Sequence, residues 1–251
     1  MKSIDDSRLR MSIAVALIGM LAMHEAVAGP WEVGGLGIDK TRKVKIEAAL
    51  RDNGESKAWA WPVFGYAHPL SERTSVEVGY GYGMIEHASY RSHGGRDLDL
   101  KLKYQIATQS ADRLAWLFEP KLSVPVGDEA SGIGRGKYVV ELPIRAGKKT
   151  GRVTYTAELR YTHVFGASST QQLVGVGGLV EFEPTERWVV GMDVFADAPA
   201  GGNQGVHSRA NLAGKWRPNA VFEVQALIGR TLSNERGPSQ TSYKLVLEHK
   251  F

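Results

Sequence analysis

The chain has 251 residues, a formal net charge of +4 and no cysteine. The absence of cysteine excludes disulfides, thiolate metal sites, cysteine nucleophiles and a lipid-modified N-terminal cysteine. The positive charge is mild and forms no concentrated basic run, so nucleic acid is not an expected partner.

The first segment, residues 1–28, has the layout of a secretory signal peptide. Three basic residues precede an apolar stretch, Met11–Ala22, and small residues at 26–28 supply a cleavage site. The alternative, a membrane anchor, needs a longer apolar segment to span about 30 Å of hydrocarbon. We therefore predict a signal peptide over 1–28 and a single mature domain over 29–251.

The mature chain repeats a two-residue alternation of apolar and polar side chains. In the stretch 97–106, the residues Leu100, Leu102 and Tyr104 fall on one face, and Lys101 and Lys103 fall on the other. A period of two is typical of a β-strand with two distinct faces. The pattern predicts twelve strands, at about 42–51, 57–67, 74–85, 96–106, 113–125, 137–146, 152–164, 172–182, 187–196, 208–217, 220–231 and 241–251.

The connections between these predicted strands alternate in length. Short connections fall at 69–73, 107–112, 148–151, 184–186 and 218–219, and longer ones at 86–95, 126–136, 197–207 and 232–240. Outer-membrane barrels have short periplasmic turns and longer outer loops. In a soluble β-sandwich, short and long connections are not expected to alternate along the chain.

Aromatic residues fall into two groups at the ends of the predicted strands. The periplasmic group is Tyr104, Trp116, Trp188, Trp216 and Phe251, and the outer group is Tyr82, Tyr138, Tyr161 and Tyr243. Such girdles mark the two interfaces of a membrane barrel. The chain is therefore predicted to be all-β, an antiparallel up-and-down transmembrane β-barrel in the outer membrane of a Gram-negative bacterium. Its expected surroundings are outer-membrane lipid and lipopolysaccharide.

The last predicted strand, YKLVLEHKF, alternates up to a final aromatic residue, Phe251. A terminal phenylalanine after alternating apolar residues resembles the signal read by the outer-membrane barrel assembly machinery. We therefore expect that machinery as a partner and Phe251 as the assembly signal.

The polar face of the strands is predicted to line the lumen, because twelve strands enclose more space than apolar side chains alone fill. The candidate lumen-lining residues are Lys101, Lys103, Glu119, Lys121, Glu158 and Arg160. Two interpretations stay open. The charges either pair across strands and hold the barrel shut, or they line a pathway and select solutes.

One segment, Phe118–Gly166, resembles a known family of outer-membrane barrels. The matching residues follow the pattern K-x-x-x-P-x-G-D and a glycine-spaced loop, namely Lys121, Pro125, Gly127, Asp128, Gly132, Gly134 and Gly136. The stretch Gly29–Arg51 is similar to the opening segment of the same family. This is the family labelled as the MetA pathway of phenol degradation. The resemblance implies a transporter or channel associated with aromatic or other hydrophobic compounds, without catalytic residues to carry over.

Some outer-membrane barrels are enzymes, so catalysis is the alternative to transport. Outer-membrane phospholipases and lipid A deacylases place a histidine and a serine two residues apart, and His87-Ala88-Ser89 is one match, in a predicted outer loop. Lys101 stands where those families place their third residue, and no histidine pair has the helical spacing of metal ligands. We therefore predict no enzyme, cofactor or metal. The expected function is passive passage of small solutes, aromatic or hydrophobic ones among them, with a non-conducting structural or surface barrel and a lipid-modifying enzyme as alternatives.

Overall fold

The computed structural model describes residues 29–166, 171–201, 205–235 and 237–251. The predicted signal peptide, residues 1–28, lies outside this described part. Nowhere in the described part does a helix reach the length and apolarity needed to cross a membrane. The strand segments within it are β1 (Lys43–Asp52), β2 (Ser56–Ser71), β3 (Thr74–His87), β4 (Tyr90–Gly95), β5 (Leu98–Ala107), β6 (Ala115–Phe118), β7 (Lys121–Val124), β8 (Val139–Thr150), β9 (Val153–Val164), β10 (Gln171–Thr185), β11 (Trp188–Pro199), β12 (His207–Trp216), β13 (Phe222–Asn234) and β14 (Thr241–Lys250).

These segments form a closed antiparallel barrel. β4 and β5 follow one another along β3, and β6 and β7 follow one another between β5 and β8, so each pair counts as one strand of the wall. The described segments thus build a wall of twelve strands. β14 pairs with β1 over its whole length, from Lys43↔Lys250 to Asp52↔Thr241, and this pairing closes the ring. The predicted up-and-down barrel of about twelve strands is confirmed.

The apolar face of each strand points outward. Leu100, Leu159 and Leu247 are exposed on the outside of the barrel, whereas Lys101 and Glu158, their chain neighbours in β5 and β9, are buried inside. The outer surface is a continuous apolar belt, which lipid covers and water does not. At the end of the barrel with the short connections, Trp188 and Trp216 face each other across β11 and β12 with ring centroids 6.0 Å apart.

One local expectation was wrong, for a physical reason. The segment 86–95 is not a long loop, because β3 and β4 pair across it as a hairpin from Tyr82↔Gly95 to His87↔Tyr90. The strand predicted over about 57–67 is present as β2, where a bulge between Ala60 and Val63 shifts the register. A bulge adds a residue and resets which side chains face inward.

The main feature that the sequence pattern did not predict lies inside the barrel. Residues 29–42, here called the plug, precede β1 and form no strand. Their side chains contact inward-facing residues of the wall on several strands, from Lys215 in β12 to Ser75 in β3. The plug therefore crosses the lumen before the chain enters the wall.

Candidate functional site: the plugged lumen

The plug is seated on glycines of the wall. Three of its side chains lie where a β-carbon of the wall would otherwise stand, Trp31 against Gly191, Val33 against Gly177 and Leu36 against Gly147. A β-carbon at Gly177 would come within 2.5 Å of Val33 Cγ2, and one at Gly191 within 2.8 Å of Trp31 Cζ2. Real side chains do not approach so closely, so these wall positions admit the plug because they lack side chains.

The plug closes the lumen at the level of Trp31 and Val33. Trp31 is 2% exposed and Val33 is 0% exposed, although both lie inside a barrel whose strands surround them. They pack against inward apolar residues of the wall, namely Leu179, Val189, Phe195, Ala213 and Leu227. Water does not reach residues this buried, so the plug fills the lumen around Trp31 and Val33.

Glu32 anchors the plug between two arginines. Arg160 Nη1 donates a hydrogen bond of 2.7 Å to Glu32 Oε1, and Arg160 Nη2 donates one of 3.0 Å to the Glu32 carbonyl. Arg209 forms a second ion pair with the same Oε1 atom. Both guanidinium groups also lie over the ring of Phe195, at 4.4 Å for Arg160 and 5.6 Å for Arg209. We call Arg160, Arg209 and Phe195 the arginine cradle.

Strand register and glycine build the arginine cradle. Phe195 and Arg209 are paired residues on neighbouring strands, so their side chains meet on the inner face. Arg160 lies two strands from Phe195, on the far side of β10. The ring crosses β10 over Gly175 and Gly177, where a β-carbon would come within 2.4 and 2.7 Å of it. Glycine at both positions therefore lets an aromatic ring bridge β11 to β9.

The base of the plug is held by Asp39. Its carboxylate pairs with Lys43 at 2.6 Å and with Lys103 at 2.9 Å, and its backbone N–H donates to Ser75 Oγ at 3.3 Å. Burial alone would raise the pKa of Asp39, but the attraction of Lys103, Lys43 and Lys45 holds that pKa below its ordinary value. Asp39 therefore stays ionised and ties the plug to the wall.

All six predicted lumen-lining residues lie on the inside of the barrel and take part in ion pairs. One chain of contacts runs from Lys103 through Glu119, Arg145 and Glu158 to Arg160. Arg160 also approaches Glu141 at 3.7 Å, and Glu141 pairs with Lys121 at 3.4 Å.

The remaining predicted residue, Lys101, pairs with Glu77 at 3.3 Å, and Glu77 also accepts a hydrogen bond of 2.7 Å from Lys45. The interpretation in which charges pair across strands thus describes the geometry of this state. Buried charges need such partners, because a lone charge away from water is costly.

Above the plug, towards the long connections, a small cavity has four cationic side chains in its lining. Arg51, Arg96, Arg209 and Lys244 contribute to its lining, with Glu47 as the acidic residue among the lining side chains. The remaining inward lining is mostly small, with Ala49, Ala58 and Ala60. We call this space the basic vestibule. It lies on the loop side of the plug.

The glycine-spaced loop between β7 and β8 bends over this side of the lumen. The Asp97 carboxylate accepts hydrogen bonds of 3.1 Å from the backbone N–H groups of Gly127 and Arg135. Ile133 reaches inward to Gly83 of β3, where a β-carbon would stand 2.8 Å from Ile133 Cγ2. The loop therefore narrows the entrance beside β3.

The candidate catalytic residues, His87, Ser89 and Lys101, do not assemble into a triad. His87 Nδ1 and Ser89 Oγ lie 3.3 Å apart in the exposed β3–β4 hairpin. Lys101 is buried inside the barrel on Glu77. Within residues 29–166, 171–201, 205–235 and 237–251, no three histidine, aspartate or glutamate side chains are grouped to hold a metal ion.

The sequence pattern did not predict the plug or the roles of Glu32 and Phe195. The alternation places Arg209 on the inward polar face of its strand but does not show that Glu32 is its partner, and Phe195 is an apolar side chain on that same face. The one readable signal was the pair of glycines at 175 and 177, which interrupt the inward face of β10 without ending the strand. Glycine inside a strand often marks the close approach of another group.

Comparison with solved structures places the fold. The chain superposes on an outer membrane channel from Pseudomonas putida F1 with a TM-score of 0.67 and 15% identity, covering 90% of this chain and 100% of that one. The fold is that of an outer-membrane barrel. It is also similar to the KdgM porin, solved in complex with disordered oligogalacturonate, with a TM-score of 0.56 and 9% identity over 83% of this chain and 99% of that one.

A translocator domain has a comparable likeness to this chain. For the autotransporter NalP from Neisseria meningitidis, the TM-score is 0.56 at 11% identity, over 98% of this chain and 96% of that one. No protein-family profile and no curated protein sequence matches the chain. At these identities the likeness establishes the barrel, and function has to come from the site.

Proposed function

We propose that this protein is an outer-membrane channel for the passive passage of small organic solutes, and that the plug is its gate. The observation that supports the proposal is that the lumen is closed by a segment outside the wall. The wall reaches around the plug with glycines and small side chains, so withdrawal of residues 29–42 would leave a continuous space lined by charge. Aromatic and hydrophobic compounds, which the family resemblance implies, are the proposed solutes.

Two solved structures of this fold carry names consistent with transport, a channel and a porin. The paired charges then have a second role once the plug leaves. Low-dielectric walls strengthen the field of each charge in a narrow lumen, so the same residues would select among solutes. In this proposal Lys101, Lys103, Glu119, Lys121, Glu158 and Arg160 line the open pathway.

The burial of Trp31 and Val33 favours a second candidate, a non-conducting structural barrel. An engineered disulfide separates the two. A β-carbon at Gly177 lies so near Val33 that cysteines at both positions are within disulfide reach. The chain has no other cysteine to interfere.

The V33C/G177C variant would be reconstituted in planar bilayers and its conductance measured before and after reduction. We expect little conductance when oxidised and more when reduced. Each single cysteine variant is a control, and G177C also reports the effect of a side chain at 177 on the Phe195 ring. Conductance that is insensitive to oxidation would show that solutes do not pass the plug. Folded wild-type and reduced protein without conductance would establish the non-conducting barrel instead.

A further inference from the structure

The plug resembles a ligand held in a binding site. Two adjacent residues, Trp31 and Glu32, present an aromatic ring and a carboxylate to different parts of the wall. The indole packs among buried apolar side chains of β10, β11, β12 and β13, and Lys215 Nζ lies 4.4 Å from the ring centroid. The carboxylate binds Arg160 and Arg209. An aromatic body beside an acid group describes a small aromatic carboxylate.

The arginine cradle is only partly used by Glu32. Both arginines approach the same oxygen, Oε1, whereas Oε2 is buried and has no hydrogen-bond partner among the described residues. Nε of Arg209 is likewise buried without such a partner in the described part of the chain. A guanidinium binds a carboxylate best through two parallel hydrogen bonds. A free carboxylate that is not constrained by a backbone could therefore satisfy the cradle better than Glu32 does.

The cavity next to the arginine cradle carries positive charge, which attracts a carboxylate. The basic vestibule carries Arg51, Arg96 and Lys244 beside Arg209, with Glu47 as the carboxylate in its lining and Glu32 as the partner of Arg209. Within the basic vestibule, cationic side chains therefore outnumber carboxylates. Such a field concentrates anions at the entrance of a narrow lumen.

We infer that the arginine cradle is a binding site for aromatic carboxylates, and that such a solute displaces Glu32 and with it the plug. This inference rests on the proposed channel function. The transported solute is then an aromatic carboxylate, and its binding to the arginine cradle opens the channel. Glu32 competes with the solute as a tethered ligand at high effective concentration, so the closed state lowers the apparent affinity for free carboxylates.

The inference is tested by binding in detergent solution, where no pore is needed. Calorimetric titration would compare benzoate with benzyl alcohol, a neutral probe of similar shape. In the full chain, Glu32→Gln removes the carboxylate that the two arginines share and leaves both arginines, with Glu158 still paired to Arg160. We expect the apparent Kd for benzoate to fall at least tenfold relative to wild type, with little change for benzyl alcohol. Glu72→Gln, in an exposed turn, is the matched control and should bind like wild type.

A second variant tests the cradle itself without leaving an opposed charge. The carboxylate partner that Arg209 shows is Glu32, so E32Q/R209Q removes the pair together. We expect the gain in benzoate binding to be lost, while heat-modifiable mobility reports an intact barrel. Retained benzoate preference in E32Q/R209Q, or equal gains for benzoate and benzyl alcohol in E32Q, would overturn the inference. Unchanged benzoate affinity in E32Q would do the same.

These outcomes are separable from those of the channel test. Benzoate binding without conductance would keep the site and refute the channel. Conductance that reduction of V33C/G177C restores, without selective benzoate binding, would keep the channel and refute the carboxylate site.

Discussion

The inner and outer faces of one strand meet different solvents. In β5, Leu100 is exposed to lipid and Lys101, the next residue, is 7% exposed and paired with Glu77. Lys101 shares Glu77 with Lys45, so the Glu77 carboxylate has two neighbours of opposite sign. Burial of charge is tolerated here because it is shared within a network.

Leu100→Arg places a charge on the lipid face near the middle of β5. We expect a loss of about 2–4 kcal/mol in the free energy of unfolding, because hydrocarbon cannot solvate the guanidinium at that depth. Reversible denaturant unfolding of the folded barrel in bilayers measures it. Leu100→Met, an apolar change of similar volume, should cost less than about 1.5 kcal/mol. Equal stability of the two variants would show that Leu100 does not face lipid.

At the scale of elements, the plug and the seam between β14 and β1 are linked through Lys43. Its ammonium pairs with Asp39 of the plug at 2.6 Å and with Glu248 of β14 at 3.1 Å. The first residue of the first strand thus connects the plug, the wall and the closing strand. Between Asp39 and Lys43, the plug residue Lys40 is exposed.

Trp31→Ala should loosen the plug and leave the wall intact. The indole fills the space over Gly191, and its loss removes the largest apolar contact of the plug. We expect a higher open probability in single-channel recordings, with unchanged heat-modifiable mobility. Lys40→Ala, on the exposed part of the same segment, serves as the control. Identical open probabilities in Trp31→Ala and wild type would argue against the plug as the gate.

Deletion of Phe251 should lower the amount of folded barrel in the outer membrane. The Phe251 N–H donates to the Arg42 carbonyl at 3.0 Å, and its ring contacts His249 at 4.8 Å between centroids. Phe251 is 66% exposed, so we expect its deletion to impair assembly of the barrel more than the stability of the folded barrel. Heat-modifiable barrel would be quantified in membranes, with Phe251→Tyr as the control. Undiminished barrel in the deletion variant would refute the proposed assembly signal.

At the scale of the whole molecule, charge is distributed along the lumen in two zones. Around and below the plug, acidic and basic groups alternate and pair, as in the run from Lys103 to Arg160. Above it, the basic vestibule has an excess of cations. A solute from the loop side therefore meets an anion-attracting entrance before a balanced interior.

Removing vestibule cations should shift ion selectivity of the open channel. In the double variant Arg96→Gln/Lys244→Gln the basic vestibule keeps Arg51 and Arg209. We expect the reversal potential in a salt gradient to move towards cation preference, because fewer positive charges focus anions at the entrance. Lys57→Gln, an exposed position outside the vestibule, is the control. A shift of equal size in the control would assign selectivity to the outer surface instead.

The sequence predicted the strands of the wall but not the plug inside it, because only the strands have a periodic pattern. Alternation over β5, β9 and β14 reports two faces of a strand, so the number of strands and the orientation of Lys101 and Glu158 followed from it. The plug has no period, because its residues are held by contacts with many strands. Its partners are far away in the chain, 128 residues in the case of Glu32 and Arg160. Pairings at that range leave no local pattern.

The seam has a consequence for the order of folding. Lys43 and Glu248 are 205 residues apart, whereas most neighbouring strands are joined by hairpins. Closing a loop of that length costs more chain entropy than closing a hairpin, so we expect the seam to form last. Residues 29–42 directly precede β1, and the growing sheet is still an open, curled surface before the seam forms. The plug can therefore be laid onto that surface and enclosed as the ring closes, which avoids threading it through a finished pore.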